Sequence, residues 1–304
     1  MIKWSIKDLP RLSLKRVVIT GTGGLGYYCA EAMAQAGAQI IIGGRNEGKG
    51  NTAVDEIKKK CSSADVKFEL LDLSSLDSVS EFSMNVMKHF DSLDILINNA
   101  GIMLTPLRKE TVDGFELQMA TNYFGHFALT AHMLPLLKQG YKSRVITVSS
   151  VAARTGTIEL DDLNSEKHYD AMEVYRQSKL ACLMFSRQLN RLSQKRRWGI
   201  GSIAAHPGLS RTNLLHNGPG RNSIYSIARS CLGPLLQHPR QGILPLLYAA
   251  TSADAKLGSY YGPSRWGETR GYPGFATLPK AAEQQNIVSS LWEKSELLTR
   301  VCFD

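Results

Sequence analysis

The sequence predicts one α/β domain built on a mostly parallel sheet with helices on both faces. Near-continuous apolar runs recur between helical stretches, and a glycine-rich turn joins the first run to the first helix. Polar residues crowd where the runs end, which puts the ligand site along one edge, because such sheets bind ligands at the carboxyl ends of their strands.

Arg16-Val-Val-Ile-Thr20 is the first strand, and it runs into Gly21-Thr-Gly-Gly-Leu-Gly26. That block satisfies G-x-G-x-x-G and is followed by a helix pattern through Tyr27, Cys29, Ala30, Met33 and Ala36. In such a cradle Gly21 allows the tight turn, Gly23 the close approach of a pyrophosphate and Gly26 the tight helix-to-strand contact. Gly24 and Leu25 lie in the same turn, and the helix N-terminus offers its free N–H groups to the anion. A glycine turn alone is often only a turn; the strand before it and the helix after it select the binding reading.

The second strand, Gln39-Ile-Ile-Ile-Gly-Gly-Arg45, ends where an adenosine ribose is read. An NAD site wants a carboxylate there. Arg45, with Lys49 about one turn further on, suits a 2'-phosphate instead, so the expected cofactor is NADP(H). Further strands follow at Val66 to Asp72, Leu93 to Asn98, Arg144 to Val148 and Gly199 to His206, and Asp72, Asn98, Ser149, Ser150 and Pro207 stand at their ends.

Tyr175-Arg-Gln-Ser-Lys179 sets a phenol and an ammonium four residues apart, on one face of a helix. A phenol titrates near 10, so work near neutrality needs a shift of roughly 3 units, or about 4 kcal/mol. A lysine one turn away favours the phenolate, and its stem can reach a cofactor hydroxyl.

At 304 residues and 43% hydrophobic, the chain can bury a large core in a single domain spanning 1–304. It has no apolar run of about 18 residues, and Met1 to Leu14 carries charges where a signal peptide needs its apolar stretch, so a cytoplasmic protein is expected. The five cysteines are scattered, with no Cys or His pair spaced as a metal site. The charge of +9 would help attract an anionic cofactor. Nucleic-acid binding is not expected: the densest basic run, Lys195-Arg-Arg-Trp198, follows a helix whose negative end it complements.

Thr20-Gly21 with Gly24 and Gly26, Asp72-Leu73, Asn98-Asn-Ala-Gly101, Asn122, Ser149-Ser150, Tyr175-x-x-x-Lys179 and His206-Pro-Gly208 followed by Thr212 occur in this order. On these motifs the chain resembles the short-chain dehydrogenase/reductase family over nearly all its length. The resemblance implies a single Rossmann-like three-layer domain with a seven-stranded sheet, and a homodimer or homotetramer. It implies Tyr175 as acid/base, Ser150 as hydrogen-bond donor to the substrate oxygen, Lys179 as ribose ligand and phenol tuner, and Asn122 as support of a water-linked proton relay. Asp72 with Leu73 would hold the adenine edge, while Asn98, Ala100, Gly101, Pro207 and Gly208 would line the cofactor and Thr212 would sit near the carboxamide. One departure stands out: only two residues separate Gly21 from Gly24 where the family has three, so the phosphate loop is one residue shorter.

Gly43-Gly-Arg45-Asn46, the long gap from Ser150 to Tyr175 and the tail Tyr260-Tyr-Gly-Pro263 resemble the branch with retinol dehydrogenases and protochlorophyllide reductases. An apolar carbonyl compound or its alcohol is the expected substrate. Residues 213–240, with Leu214, Ile224, Ile227 and Leu235, read as a substrate lid, and 258–304 as a C-terminal extension in which Trp266 and Tyr272 could reach the pocket. Between the two catalytic residues, Leu160 or Leu163 is expected to pack into the substrate pocket. Two other readings stay open. A methyltransferase would not need the Ser, Tyr and Lys set, and a non-catalytic NADPH sensor or scaffold is supported by the shortened loop.

Overall fold

The computed structural model describes residues 3–210 and 237–304. Among the described residues, eight strands form one sheet: β1 Arg16–Thr20, β2 Gln39–Gly44, β3 Asp65–Leu70, β4 Ile95–Asn98, β5 Arg144–Val148, β6 Gly201–Ala205, β7 Tyr260–Arg265 and β8 Arg270–Phe275. Their order is β3-β2-β1-β4-β5-β6-β7-β8, parallel throughout except for β8, which returns antiparallel to β7. The sheet is therefore one strand wider than the seven expected.

The apolar runs form this sheet because alternate residues point to opposite faces and both faces are covered. Val18, Ile41, Leu96 and Val145 face one core, while Val17, Ile19, Ile40, Ile42, Ile95, Ile97 and Ile146 face the other. Helices α1 Gly24–Gln35 and α2 Glu47–Lys60 contribute to the second core. Helix α3 Leu76–His89 contributes to the first; beyond it the turn α4 Leu117–Met119 leads through a π-helical stretch, Ala120–Phe124, into α5 Gly125–Gln139. Helix α6 Ala171–Arg196 packs on the same face. The chain runs outward from β1 to β3 and then crosses to β4 on the other side of β1. That reversal opens a crevice at the carboxyl ends of β1 and β4, where ligands of such sheets bind.

The tail belongs to the sheet. Pro263 pairs with Pro273 across the β7–β8 ladder, and the register shifts between Pro263 and Arg265. Pro and Gly weaken the strand signal, so this hairpin reads in sequence as a loop. Trp266 sits exposed in its turn, and Tyr272 lines a separate cavity of ≈ 390 Å³ against α1, so neither reaches the crevice. After the short helices α7 Pro239–Gly242 and α8 Leu244–Thr251, the chain ends in α9 Gln285–Thr299, which packs on α5 and α6.

The segment from Ser150 to Tyr175 lines the crevice through Val151, Ala152 and Met172, and not through the expected Leu160 or Leu163. Leu163 is buried in the first core with Leu160 packed against that core, and neither lines the crevice. Hydrogen bonds explain the placement: Tyr169 bonds Thr105 through its hydroxyl (2.8 Å), Arg108 donates to the Asn164 carbonyl (3.0 Å) and Lys294 of α9 to the Leu160 carbonyl (2.6 Å). The expected lid falls almost wholly outside the described residues, as does Thr212.

Candidate active site

A cleft of ≈ 680 Å³ lies along the carboxyl ends of the strands. Gly21, Gly23, Gly24 and Leu25 line it at the first turn, Arg45 and Lys49 beyond β2, and Asp72 and Leu73 beyond β3. Ala100 and Gly101 follow β4, Ser150, Tyr175 and Lys179 stand at its centre, and Pro207 and Gly208 close the far side. The sequence thus brings most of its expected site residues onto one surface.

The shortened loop is built from glycine conformations. Gly21 has φ +100 and Gly24, which opens α1, has φ +53, both in the left-handed region that residues with a Cβ disfavour. A Cβ on Gly26 would run into the Gly21 carbonyl, so the helix can start against the strand only with glycine there. Gly26 therefore lies behind the cradle as support. Gly24 and Leu25 at the start of α1 line the cleft, and Arg45, Asn46 and Lys49 line it beyond β2. These residues fit a dinucleotide carrying an extra phosphate.

Asn98 is placed differently from the expectation. Its side chain is buried and donates to Thr130 Oγ1 (2.9 Å), while its neighbour Asn99 lines the cleft. Asp72 accepts the Ser74 N–H (2.9 Å) and hydroxyl (2.6 Å) on one carboxylate oxygen.

At the centre, Ser150 and Tyr175 line the cleft together. Ser150 also caps the 3-10 turn Val151–Thr155 by accepting the Ala152 N–H (3.2 Å). Burial pushes the Tyr175 phenol up to about 12, against a downward pull from the Ser150 hydroxyl. The shift is opposite to the one expected from a neighbouring ammonium. Lys179 is buried too, which holds its pKa below the ordinary lysine value, and its Nζ donates to the Val148 carbonyl (3.1 Å).

Asn122 acts as a clamp. Its Oδ1 accepts the Ile102 N–H (2.8 Å), and its Nδ2 donates to the Ile102 carbonyl (3.0 Å) and Ser178 Oγ (2.9 Å). Gly101 leaves room for this, since a Cβ there would lie 2.9 Å from Asn122 Oδ1. The π-helical turn directs the Asn122 carbonyl to His126 Nδ1 (3.0 Å) and the Cys182 thiol (3.1 Å). A carbonyl only accepts, so His126 Nδ1 carries the hydrogen and Nε2 accepts from Thr20 Oγ1 (2.8 Å). Thr20 Oγ1 in turn accepts the N–H groups of Asn99 and Ala100 (each 2.9 Å). Sequence reading assigned His126 no role. Its signal is the four-residue spacing from Asn122, visible only once both are placed on one helix.

Hydroxyl donors beside a buried lysine, facing a phosphate cradle at the other end of the cleft, suit hydride exchange at a carbonyl, where negative charge develops on oxygen. Comparison with known proteins agrees. A model of the short chain dehydrogenase family matches residues 15–220. Retinol dehydrogenase 13 of Mus musculus is 35% identical over 93% of this chain and 83% of its own length. Polyprenol dehydrogenase of Homo sapiens is 33% identical over 96% and 87%. The crystal structure of an uncharacterized protein from Mycobacterium Paratuberculosis superposes with a TM-score of 0.82 at 35% identity, covering 99% of both chains. The chain belongs to the short-chain dehydrogenase/reductase family and is an enzyme of nicotinamide-dependent hydride transfer.

Proposed function

We propose that this enzyme uses NADP(H) to interconvert an apolar aldehyde or ketone with its alcohol, with Tyr175 as the acid/base. The observation that carries the reading is one cleft lined by Arg45 and Lys49 at one end and by Ser150, Tyr175 and Lys179 at its centre. The loop from Gly21 to Leu25 would hold the pyrophosphate, Arg45 and Lys49 the 2'-phosphate, Asp72 the adenine edge and Lys179 the nicotinamide ribose. When bound, the dinucleotide supplies or accepts the hydride. Ser150 and Tyr175 aim their hydroxyls at the substrate oxygen; in reduction Tyr175 gives its proton to the developing alkoxide, and in oxidation it takes one back. A raised phenol pKa keeps that proton in place until charge appears on the substrate. Ile102, Met103, Val151, Ala152, Met172 and Leu209 line the cleft and favour an apolar substrate body. The likeness to retinol and polyprenol dehydrogenases supports the same class.

Titration of both cofactors, followed by kinetics on an aldehyde series of increasing chain length, tests the reading. NADPH should bind at least about tenfold more tightly than NADH, a difference of about 1.4 kcal/mol. Arg45→Ala should erode that preference and leave NADH little changed. kcat/KM should rise by roughly tenfold for each two methylenes buried. Equal cofactor affinities would sink the NADP(H) assignment, a flat series the apolar substrate, and tight NADPH binding without turnover would favour a sensor.

A further inference from the structure

The β7–β8 hairpin lies outside the cleft, yet it is fastened to the two segments that follow β5 and β6 and line the cleft. Residues 266–269 join its strands, and Trp266, Gly267 and Glu268 have φ of 54, 62 and 68. Two of these carry a Cβ, which the left-handed region disfavours, so the turn persists only where its surroundings over-determine it. The carboxylate of Glu268 is what they hold. One oxygen accepts the Thr277 N–H (2.8 Å) and hydroxyl (2.6 Å). The other faces His206 Nε2 at 3.0 Å and ion-pairs with Arg154.

Those last two partners follow neighbouring strands, Arg154 on the turn after β5 and His206 after β6. His206 follows β6 and leads directly into Pro207, Gly208 and Leu209 of the cleft. It accepts the Gly208 N–H on Nδ1 (3.2 Å), so Nε2 carries the hydrogen and donates to Glu268. Arg154 lies on the turn that Ser150 caps. Backbone contacts run the same way. Leu209 N–H donates to the Thr269 carbonyl (3.0 Å), Arg154 Nη1 to the Gly267 carbonyl (3.4 Å) and the Tyr260 hydroxyl to the Ser150 carbonyl (3.1 Å).

We propose that Glu268 is a positioning residue: it ties the Ser150-bearing turn to the Pro207–Leu209 strand end and so sets where the Ser150 hydroxyl stands. Glu268 does not line the cleft and touches no reacting atom. It acts through Arg154 on one side and His206 on the other. This rests on the reading of Ser150 as the donor to the substrate oxygen.

The full chain with Glu268→Ala, compared with the unaltered protein, tests it by hydrogen exchange and by steady-state kinetics with NADPH and a long-chain aldehyde. Exchange at the amides of Ala152 and Leu209 should quicken by roughly tenfold, while strands β1 and β2 stay unchanged. kcat should fall by roughly 10- to 100-fold with KM for the aldehyde moving less than about threefold, because the lost contribution belongs to the transition state. Arg154→Ala should quicken Ala152 and spare Leu209, and adding it to Glu268→Ala should lower kcat no further. Unchanged exchange at both amides, or a kcat within about threefold of the unaltered enzyme, overturns the proposal. Uniformly faster exchange across the sheet also overturns it, since that marks general destabilisation. If Glu268→Ala does not fold, Arg154→Ala decides: loosening at Ala152 alone supports the proposal, and none refutes it. Failure of the unaltered protein to turn over any carbonyl compound would count against the functional reading, and the exchange arm would still decide the coupling.

Discussion

Tyr175 and Lys179 stand one turn apart on α6, but burial sets their proton affinities in the folded chain, raising the phenol and lowering the ammonium. Tyr175→Phe keeps the ring and removes the transferable proton, so turnover should drop by roughly 10² to 10⁴ while NADPH still binds. Lys179→Ala should weaken both turnover and binding, since the proposed reading also gives Lys179 the nicotinamide ribose. Fluorescence titration beside steady-state rates separates the two, and a Tyr175→Phe variant keeping more than about a tenth of the rate would exclude Tyr175 as the acid. These residues were legible in the sequence because four residues make one turn, a spacing that can be seen without a fold. His126 and Glu268 were not, since their partners Thr20 and His206 lie 106 and 62 residues away. Asn98 and Asn99 show the finer limit. The motif marks the strand end, but which neighbour faces the cleft depends on the sheet's pleat.

At the scale of elements, the phosphate turn and the π-helical turn meet behind the cleft. Gly26→Ala would drive a methyl into the Gly21 carbonyl and push α1 off the strand end. The expected cost is about 1–3 kcal/mol of stability together with a loss of NADPH affinity of roughly tenfold or more. Chemical denaturation and cofactor titration check it, and wild-type values for both would mean that the turn adapts. The π-helical turn brings in His126, whose pKa burial pulls down from 6.5 to about 4. The neutral ring is the folded form, so above pH 6.5 it makes no difference. As pH falls from 6.5 toward 4 the unfolded chain gains a proton that the folded chain refuses, and about 3 kcal/mol of stability is lost. His126→Asn should remove most of that slope in urea titrations at pH 7 and pH 4.5. His206, also held low by burial, leaves a residual slope in the same direction. An undiminished slope in the variant would mean that His126 is not the buried neutral group. The strands of the inner sheet were legible because β-branched runs buried on both faces leave no other reading. β7 and β8 were not, because strand propensity is mostly packing, and a Gly- and Pro-rich hairpin acquires its packing only from its neighbours.

At the scale of the molecule, the two cores explain why the chain from Tyr260 onward is no appendage. β7 continues the parallel sheet, and α9 with the residues after it closes the first core over α5 and α6. Trp292 stacks on Phe185 at 5.7 Å and meets Phe127 edge-on at 5.0 Å, while Phe303 packs on Trp292 at 4.6 Å. All four rings are buried, so the end of the chain covers the helix that carries Tyr175 and Lys179. Trp292→Ala would empty the middle of this cluster, with an expected loss of about 3–5 kcal/mol. The cleft lies on the strand ends and takes none of these rings into its lining. Affinity for NADPH measured well below the melting range should therefore change by less than about threefold. A denaturant midpoint that falls with cofactor affinity intact is the expected result. A variant with unaltered stability would show that the tail rests on the surface, and one that loses cofactor binding in step with stability would show that α6 depends on the tail for its place in the site.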